Sequence, residues 1–178
     1  MELKIDDILG QIQLPQKSVP LCLRADLQAR FDSLERELRA AQRAPEQDSL
    51  AGMGAAAREI ATQIEATRAE MQRHTVEFRL QALPQKQWSD LLKKHPPRKG
   101  NKDDDMADYN VGTFPVAALA ACSVSPEMTE EDAGRLVDAI TNGQWARLNM
   151  ALGELNNGGA EVPFSAAASA LAGGTQTS

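Results

Sequence analysis

The fold of this chain is decided where its sequence changes period, and residues 53–80 read MGAAAREIATQIEATRAEMQRHTVEFRL. In the first part, apolar or small side chains recur at alternating intervals of four and three residues, at Met53, Ala57, Ile60, Ile64, Thr67 and Met71. This spacing predicts a helix with a narrow apolar seam. From Thr75 the period becomes two, with Val76, Phe78 and Leu80 on one face, which predicts a strand.

A second seamed helix and a second strand precede this stretch. From Ala25 to about Ala44 the intervals again alternate between four and three, at Leu27, Phe31, Leu34, Leu38 and Ala41. Residues 19–23 alternate and include Pro20, which an edge strand or a strand start tolerates. Two seamed helices joined by a turn at residues 45–52 predict an antiparallel helical hairpin. The two strands would meet at its base as a short two-stranded β ribbon.

The stretch from Trp88 to Asn156 predicts a compact bundle of about four helices. It contains both tryptophans, the only tyrosine and one of the four phenylalanines. A helix from Thr113, a plausible N-cap, through Cys122 is apolar nearly all round, so we expect it at the centre of the fold. Thr129 opens an approximate capping box. A last helix, residues 144–155, is expected to end through a left-handed residue within residues 156–159.

Two segments between these helices are predicted to be irregular. Residues 98–108 place Arg98, Lys99 and Lys102 beside four aspartates, and such adjacent opposite charges predict a mobile surface loop. Asn142-Gly143 is expected to break the chain before the last helix.

These elements predict a mainly α fold with four parts. Residues 1–18 form an N-terminal arm whose apolar side chains can dock on the domain or on a partner. Residues 19–82 form the strand, the helical hairpin and the second strand, and residues 83–157 form the helical core. Residues 158–178 are mostly Ala, Gly, Ser and Thr, which predicts a flexible C-terminal tail.

Composition limits the partners of the chain. Its 178 residues can bury a core without metals or disulfides. The formal net charge of -6 opposes nonspecific attraction to nucleic acid or to anionic lipid. Cys22 and Cys122 are far apart in sequence and outside any metal-binding spacing, so we expect two buried free thiols in a reducing cytoplasm. No secretory signal or membrane span is predicted.

No catalytic, cofactor or metal site is predicted. His74 and His95 lie outside any catalytic signature, and both are expected to have structural or capping roles. The aspartates of residues 103–108 lack the glycine and the ligand spacing of a calcium loop. No glycine-rich stretch leads from a strand into a helix, as a phosphate cradle requires. We therefore expect a protein that is not an enzyme.

Apolar residues on two surfaces are the candidates for partner binding. In the helical core these are Trp88, Phe114 and Trp145, and in the hairpin seam they are Met53, Ile60, Ile64 and Met71. Each tryptophan can instead belong to the core. The seam can pack within the chain, or another chain can complete part of it.

A series of short motifs, in a fixed order along residues 88–145, resembles a known family. They are Trp88, Leu91-Leu92, His95-Pro96-Pro97, Tyr109-Asn110, Thr113-Phe114-Pro115, Ala118 to Cys122, Pro126-Glu127-Met128-Thr129, Asp132-Ala133, Leu136 and Gly143-Gln144-Trp145. In this order the chain resembles the tail assembly chaperones of long-tailed, siphovirus-type actinobacterial phages. The strand at residues 76–80 and the hairpin that starts at Val19-Pro20-Leu21 are similar to the upstream half of those proteins, so the resemblance covers about residues 19–156.

The resemblance implies a non-enzymatic helper of phage tail morphogenesis. Such chaperones bind the tape measure protein, keep it soluble and help tail tube protein subunits polymerise around it. They act in the host cytoplasm and are generally absent from the virion. A longer frameshifted form is often made, and self-association is possible for such a protein.

Two alternatives from other classes stay open. A structural tail or virion protein, such as an adaptor, would share the size and the helices of this chain. A helical-hairpin regulatory protein, including a nucleic-acid binder, is disfavoured by the net charge.

Overall fold

The computed structural model describes the backbone of residues 4–43 and 50–159, and the side chains of residues 4–43 and 54–159. These ranges are mainly helical, with a small antiparallel sheet. In chain order the elements are α1 (Ile5–Leu9), β1 (Gln16–Cys22), α2 (Ala25–Arg43), α3 (Leu50–Arg73), β2 (Thr75–Gln81), α4 (Gln85–Lys94), α5 (Lys102–Ala107), α6 (Phe114–Cys122), β3 (Ser123–Ser125), α7 (Glu130–Ala139) and α8 (Asn142–Asn157).

The predicted helical hairpin is confirmed, and its seam closes within the chain. Leu27 and Leu34 of α2 are buried, as are Ile64 and Thr67 of α3. Thr67 satisfies its buried hydroxyl by donating to the carbonyl oxygen of Gln63, at 2.8 Å. A polar residue is therefore accommodated in the seam without an unpaired group.

The sheet at the base of the hairpin has three strands rather than the predicted two. β1 pairs antiparallel with β2, from Gln16 opposite Gln81 to Cys22 opposite Thr75, and β2 pairs with β3 on its other side. β1 is an edge strand, as its proline predicts, but it begins three residues earlier than expected. β3 was missed because three residues are too few to show an alternating pattern.

The core lies between one face of this sheet and α4, α6, α7 and α8. With α5, which contributes no core residue, five helices follow β2 within the described ranges, one more than expected. Val19, Leu21, Phe78 and Leu80 point into it from the two longer strands. α6 is central, as its composition predicts, and six of its nine residues are buried. Asn156 of α8 joins the layers, since its side chain accepts from the Leu83 amide at 2.9 Å and donates to the Leu152 carbonyl oxygen at 2.9 Å.

Of four predictions about helix ends, the structure confirms one and differs from three. Thr129 and Asp132 form the predicted capping box of α7. A second box, between Thr141 and Gln144, starts α8 at Asn142, so the expected break at residues 142–143 is wrong. α8 ends at Gly158, whose φ of -78° is not left-handed. Thr113 stands at the N-cap position of α6, but its side chain makes no capping hydrogen bond.

The prediction of a mobile loop at residues 98–108 is also wrong, because α5 lies within these residues. The side chain of Asn101 caps this helix by accepting from the amides of Asp103 and Asp104. Asp104 is completely buried. A row of aspartates that resembles a solvated segment in sequence therefore holds one buried structural carboxylate.

The two cysteines are free thiols, but they differ in burial. Cys122 is buried as expected, and desolvation raises the pKa of its thiol. Cys22 is only half-buried, because β1 ends there at the edge of the sheet. The turn predicted at residues 45–52 is too long, because α3 already begins at Leu50. The remaining residues 45–49 of that turn, the side chain of Met53 and the C-terminal tail from residue 160 onward lie outside the described ranges.

Candidate functional site

A cleft of about 440 Å³ opens between α4, the segment that leads into α6, and the C-terminal half of α8. Trp88 and Leu92 of α4 form one wall, and Asn149, Leu152 and Gly153 of α8 form the opposite one. We call this the aromatic cleft. Its remaining lining residues are Ala107, Asp108, Tyr109, Phe114, Pro115, Ala118 and Asn157.

The aromatic rings of the cleft pack around Phe114 in edge-on and tilted arrangements. The Trp88 ring meets that of Phe114 edge-on, with centroids 5.1 Å apart, and the tilted Tyr109 ring is 4.5 Å away. Both distances fall in the range in which aromatic pairs attract one another. Phe114 is 4% exposed, whereas Trp88 and Tyr109 are half-buried. The cleft therefore has a fixed floor and a partly open aromatic rim.

Asp104 holds the wall of the cleft in place. Its carboxylate accepts from the Arg98 backbone amide at 2.9 Å, from the Arg98 Nε at 2.7 Å and from the Val111 amide at 3.1 Å. These hydrogen bonds, that of the Arg98 guanidinium foremost, hold the pKa of Asp104 well below its usual range. The carboxylate thus joins both ends of the segment that carries Tyr109.

The polar groups near the cleft either form hydrogen bonds within the fold or line the opening of the cleft. The ring Nδ1 of His95 is 2.9 Å from the Thr113 Oγ1, and the carbonyl oxygen of His95 accepts from the Asn110 amide at 2.9 Å. Asp108, Asn149 and Asn157 line the opening. A cavity with aromatic walls and a few rim amides can accept an apolar side chain and orient the polar backbone beside it.

The structure separates the other residues that were predicted to bind a partner. Trp145 is half-buried against the core and does not line the aromatic cleft. Ile64 is 6% exposed and lies in the seam, whereas Phe114 is 4% exposed and forms the floor of the aromatic cleft. Ile60 and Met71 are half-buried along the same helix.

The most exposed apolar surface belongs to the arm. Ile5, Ile8, Leu9 and Ile12 are 64%, 41%, 57% and 60% exposed, and α1 has no buried residue. Within α1 the spacing of three and four residues places Ile5, Ile8 and Leu9 on one side of the helix, and Ile12 follows just after the turn that ends it. We call this row the arm face. These are four of the nine large hydrophobic side chains that are exposed within the described residues.

Tyr109, Asp104 and Asn149 are not among the residues predicted to bind a partner, although all three shape the cleft or its wall. The Asn101-x-x-Asp104 spacing is a helix N-terminus signal that could have revealed α5. The contribution of Asn149 depends on the packing of α8 against the α5–α6 segment, for which no local pattern exists.

Within the described residues, no group of three or more His, Cys, Asp or Glu side chains could hold a metal ion. Across the same ranges, every helix is too short or too polar to cross a membrane.

Comparison of the chain with protein-family models, with curated proteins and with solved structures gives no match.

Proposed function

We propose that this protein is a tail assembly chaperone of a long-tailed phage. It binds the tape measure protein, keeps it soluble and promotes polymerisation of the tail tube protein around it. The ordered motifs from Trp88 to Trp145 suggest the family, and the exposed arm face is the observation that carries the proposal. A chaperone for a long helical client needs apolar surface that its own fold leaves uncovered.

The arm face has the properties of a segment that is completed by a partner. α1 spans five residues, and an isolated helix of that length is unstable in water unless tertiary packing supports it. Asp6 and Asp7 accompany the isoleucines and leave the opposite side acidic and solvated. An amphipathic segment of this kind binds by laying its apolar side against another apolar surface.

The aromatic cleft supplies a second contact of a different type. Its rings are held by packing and by the Asp104 hydrogen bonds, so an entering side chain finds a preformed cavity. Preformed cavities bind with a smaller entropy cost than surfaces that must first become ordered. The arm face would cover apolar surface of the client, and the aromatic cleft would bind one of its side chains. Several copies of the chaperone would then hold a long client through many weak contacts.

The hairpin seam has no part in the proposed client surface. Ile64 and Thr67 are covered by α2, and exposing them would require the two helices to separate. The client contacts are therefore assigned to Ile5, Ile8, Leu9 and Ile12 and to the rim residues Trp88 and Tyr109.

The proposal includes a place of action and a set of partners. The chaperone works in the host cytoplasm, is absent from the mature virion, and has no nucleic acid or membrane among its partners. Self-association and a longer frameshifted form are compatible with the same surfaces.

Co-expression of the full chain with the tape measure protein of the same phage tests the proposal. We expect the tape measure protein to move from the insoluble to the soluble fraction and to co-purify with the chain. The matched variants are Ile8→Asp with Leu9→Asp in the arm, and Arg30→Asp with Arg36→Asp on the exposed side of α2. The arm pair should abolish co-purification, and the α2 pair should retain it.

Two results would contradict the proposal. One is an insoluble tape measure protein that does not co-purify with the wild-type chain. The other is a stoichiometric copy number of the chain in purified particles, which would identify a structural tail component.

A further inference from the structure

The aromatic cleft has an apolar interior and a polar mouth. Besides the three rings, its interior is lined by buried or half-buried apolar residues, namely Leu92, Pro115, Ala118 and Leu152. Its mouth is lined by Asp108, Asn149 and Asn157, all of which are exposed. A side chain that matches this division has a long apolar stem and a polar head, and the head lies at the mouth.

The charge at the mouth is negative. Among the described residues that line the cleft, Asp108 is the only one with a charge. Its carboxylate forms no ion pair with another described residue, whereas that of Asp104 is paired with Arg98. The carboxylate of Asp108 is therefore left to interact with a cation from another molecule.

Two helices end at the cleft and add to this negative potential. α5 ends at Ala107 and α8 ends at Asn157, and both residues line the cavity. Neither of these described helices has a basic residue in its last turn. The carboxyl end of a helix carries a partial negative charge, because its last carbonyl groups have no partner within the helix. Both helix ends therefore favour a cation at the mouth.

The aromatic rings favour the same type of ligand. A cation that lies over the face of an aromatic ring, within about 6 Å of its centroid, is attracted by the electrons of the ring. Trp88 and Tyr109 both pack against Phe114, so the three rings surround one small volume. Because packing already holds the rings in place, binding a cation there requires little reordering of the cleft.

We propose that the aromatic cleft binds a basic side chain, lysine or arginine, of the client protein. The aliphatic stem packs against the rings and the apolar interior, and the charged head lies at the mouth beside Asp108. An apolar side chain would leave the negative mouth without a cation, and an acidic side chain would be repelled. This inference deepens the proposed function and rests on the cleft being one of its client contacts.

Titration of the full chain with short peptides tests the inference. The peptides have the form acetyl-Ala-Ala-X-Ala-Ala-amide, in which X is lysine, arginine, norleucine or glutamate. The indole N–H resonance of Trp88 reports binding, and that of Trp145, which does not line the cleft, is the internal control. We expect the lysine and arginine peptides to bind about threefold or more tightly than the norleucine peptide, and the glutamate peptide not to bind.

Two matched variants separate the carboxylate at the mouth from the net charge of the chain. Asp108→Asn should weaken binding of the lysine peptide by about two- to fivefold and leave binding of the norleucine peptide unchanged. Asparagine also tolerates the left-handed conformation of Asp108, whose φ is 65°, so the fold is kept. Asp105→Asn removes the same charge from an exposed position of α5 outside the cleft and should leave both affinities unchanged.

Three outcomes would overturn the inference. One is a Trp88 resonance that responds to the norleucine peptide as strongly as to the lysine peptide, or to neither. Another is an equal loss of affinity in Asp105→Asn and Asp108→Asn, which would make net charge the cause. The third is a response of Trp145 in place of Trp88. A lysine peptide that binds while the tape measure protein fails to co-purify would contradict the proposed function alone.

Discussion

The α3 seam and the arm face both carry apolar residues three or four positions apart, yet the chain covers one and leaves the other exposed. Ile64 is 6% exposed, whereas Ile12 is 60% exposed. The difference is the presence of a complementary element close in sequence, since α2 presents Leu27 and Leu34 to α3. Within the described residues nothing buries α1. Periodicity therefore identifies a surface that needs a partner, but it does not say whether the partner lies in the same chain.

Truncating one isoleucine on each surface should give the largest contrast. We expect Ile64→Ala to lower the free energy of unfolding by about 2–5 kcal/mol, because it removes buried methyl groups and leaves a cavity between the helices. Ile12→Ala makes the same chemical change on the arm face and should alter stability by less than about 0.5 kcal/mol. Urea unfolding of both variants measures the difference. Equal losses would show that the arm is packed in solution.

The same contrast between covered and exposed groups holds for the aspartates of α5. Asp104→Asn should lower the free energy of unfolding by about 1–3 kcal/mol, because the amide nitrogen replaces an acceptor oxygen and leaves N–H donors of Arg98 or Val111 unpaired. Asp105→Asn changes an exposed neighbour and should have little effect. Thermal unfolding at neutral pH compares the two, and an equal effect on Tm would contradict the structural role of Asp104.

Asp104 should also contribute to acid sensitivity. Its pKa is lowered in the folded state from the ordinary value of 3.8, chiefly by the hydrogen bond from Arg98. The stabilisation is therefore fully present above pH 3.8 and is lost as the pH falls below it toward the folded-state pKa. In Asp104→Asn this part of the decline should be absent. A wild-type and a variant stability curve that stay parallel between pH 5 and about pH 2 would contradict this assignment.

The smallest effects are expected where a single methyl group is added to α8 or its end. A Cβ at Gly158 would lie 2.5 Å from the Glu154 carbonyl oxygen, so Gly158→Ala should destabilise by about 1–3 kcal/mol or unwind the last turn. A Cβ at Gly153 meets nothing within 4 Å, and Gly153→Ala should stabilise the helix by about 0.5–1 kcal/mol. Unfolding midpoints of the two variants should therefore move in opposite directions.

Much of the fold could be predicted because its signals are local. The spacing of Leu27 and Leu34 and of Ile60 and Ile64 marks the hairpin, and the change of period at Thr75 marks β2. The composition of α6 places it at the centre for the same reason, since a helix that is apolar all round needs burial on every side.

The rest depends on contacts between residues distant in sequence. β3 exists because it pairs with β2, and its three residues carry no pattern of their own. Asp104 belongs to a run of charged residues that is typical of a solvated loop. Its position three residues after Asn101 nevertheless places it in the first turn of α5. The aromatic cleft forms only when α8 packs across the α5–α6 segment, so local patterns select Trp88 and Phe114 as candidates for partner binding but neither Tyr109 nor Asn149.

Amide hydrogen exchange of the full chain, with and without the tape measure protein, shows whether the arm face, and not the seam, is the surface free to meet a client. We predict that exchange at residues 5–12 slows by about tenfold or more in the complex, while residues 60–71 exchange at the same rate in both states. Slower exchange at residues 60–71 with no change at residues 5–12 would contradict the account.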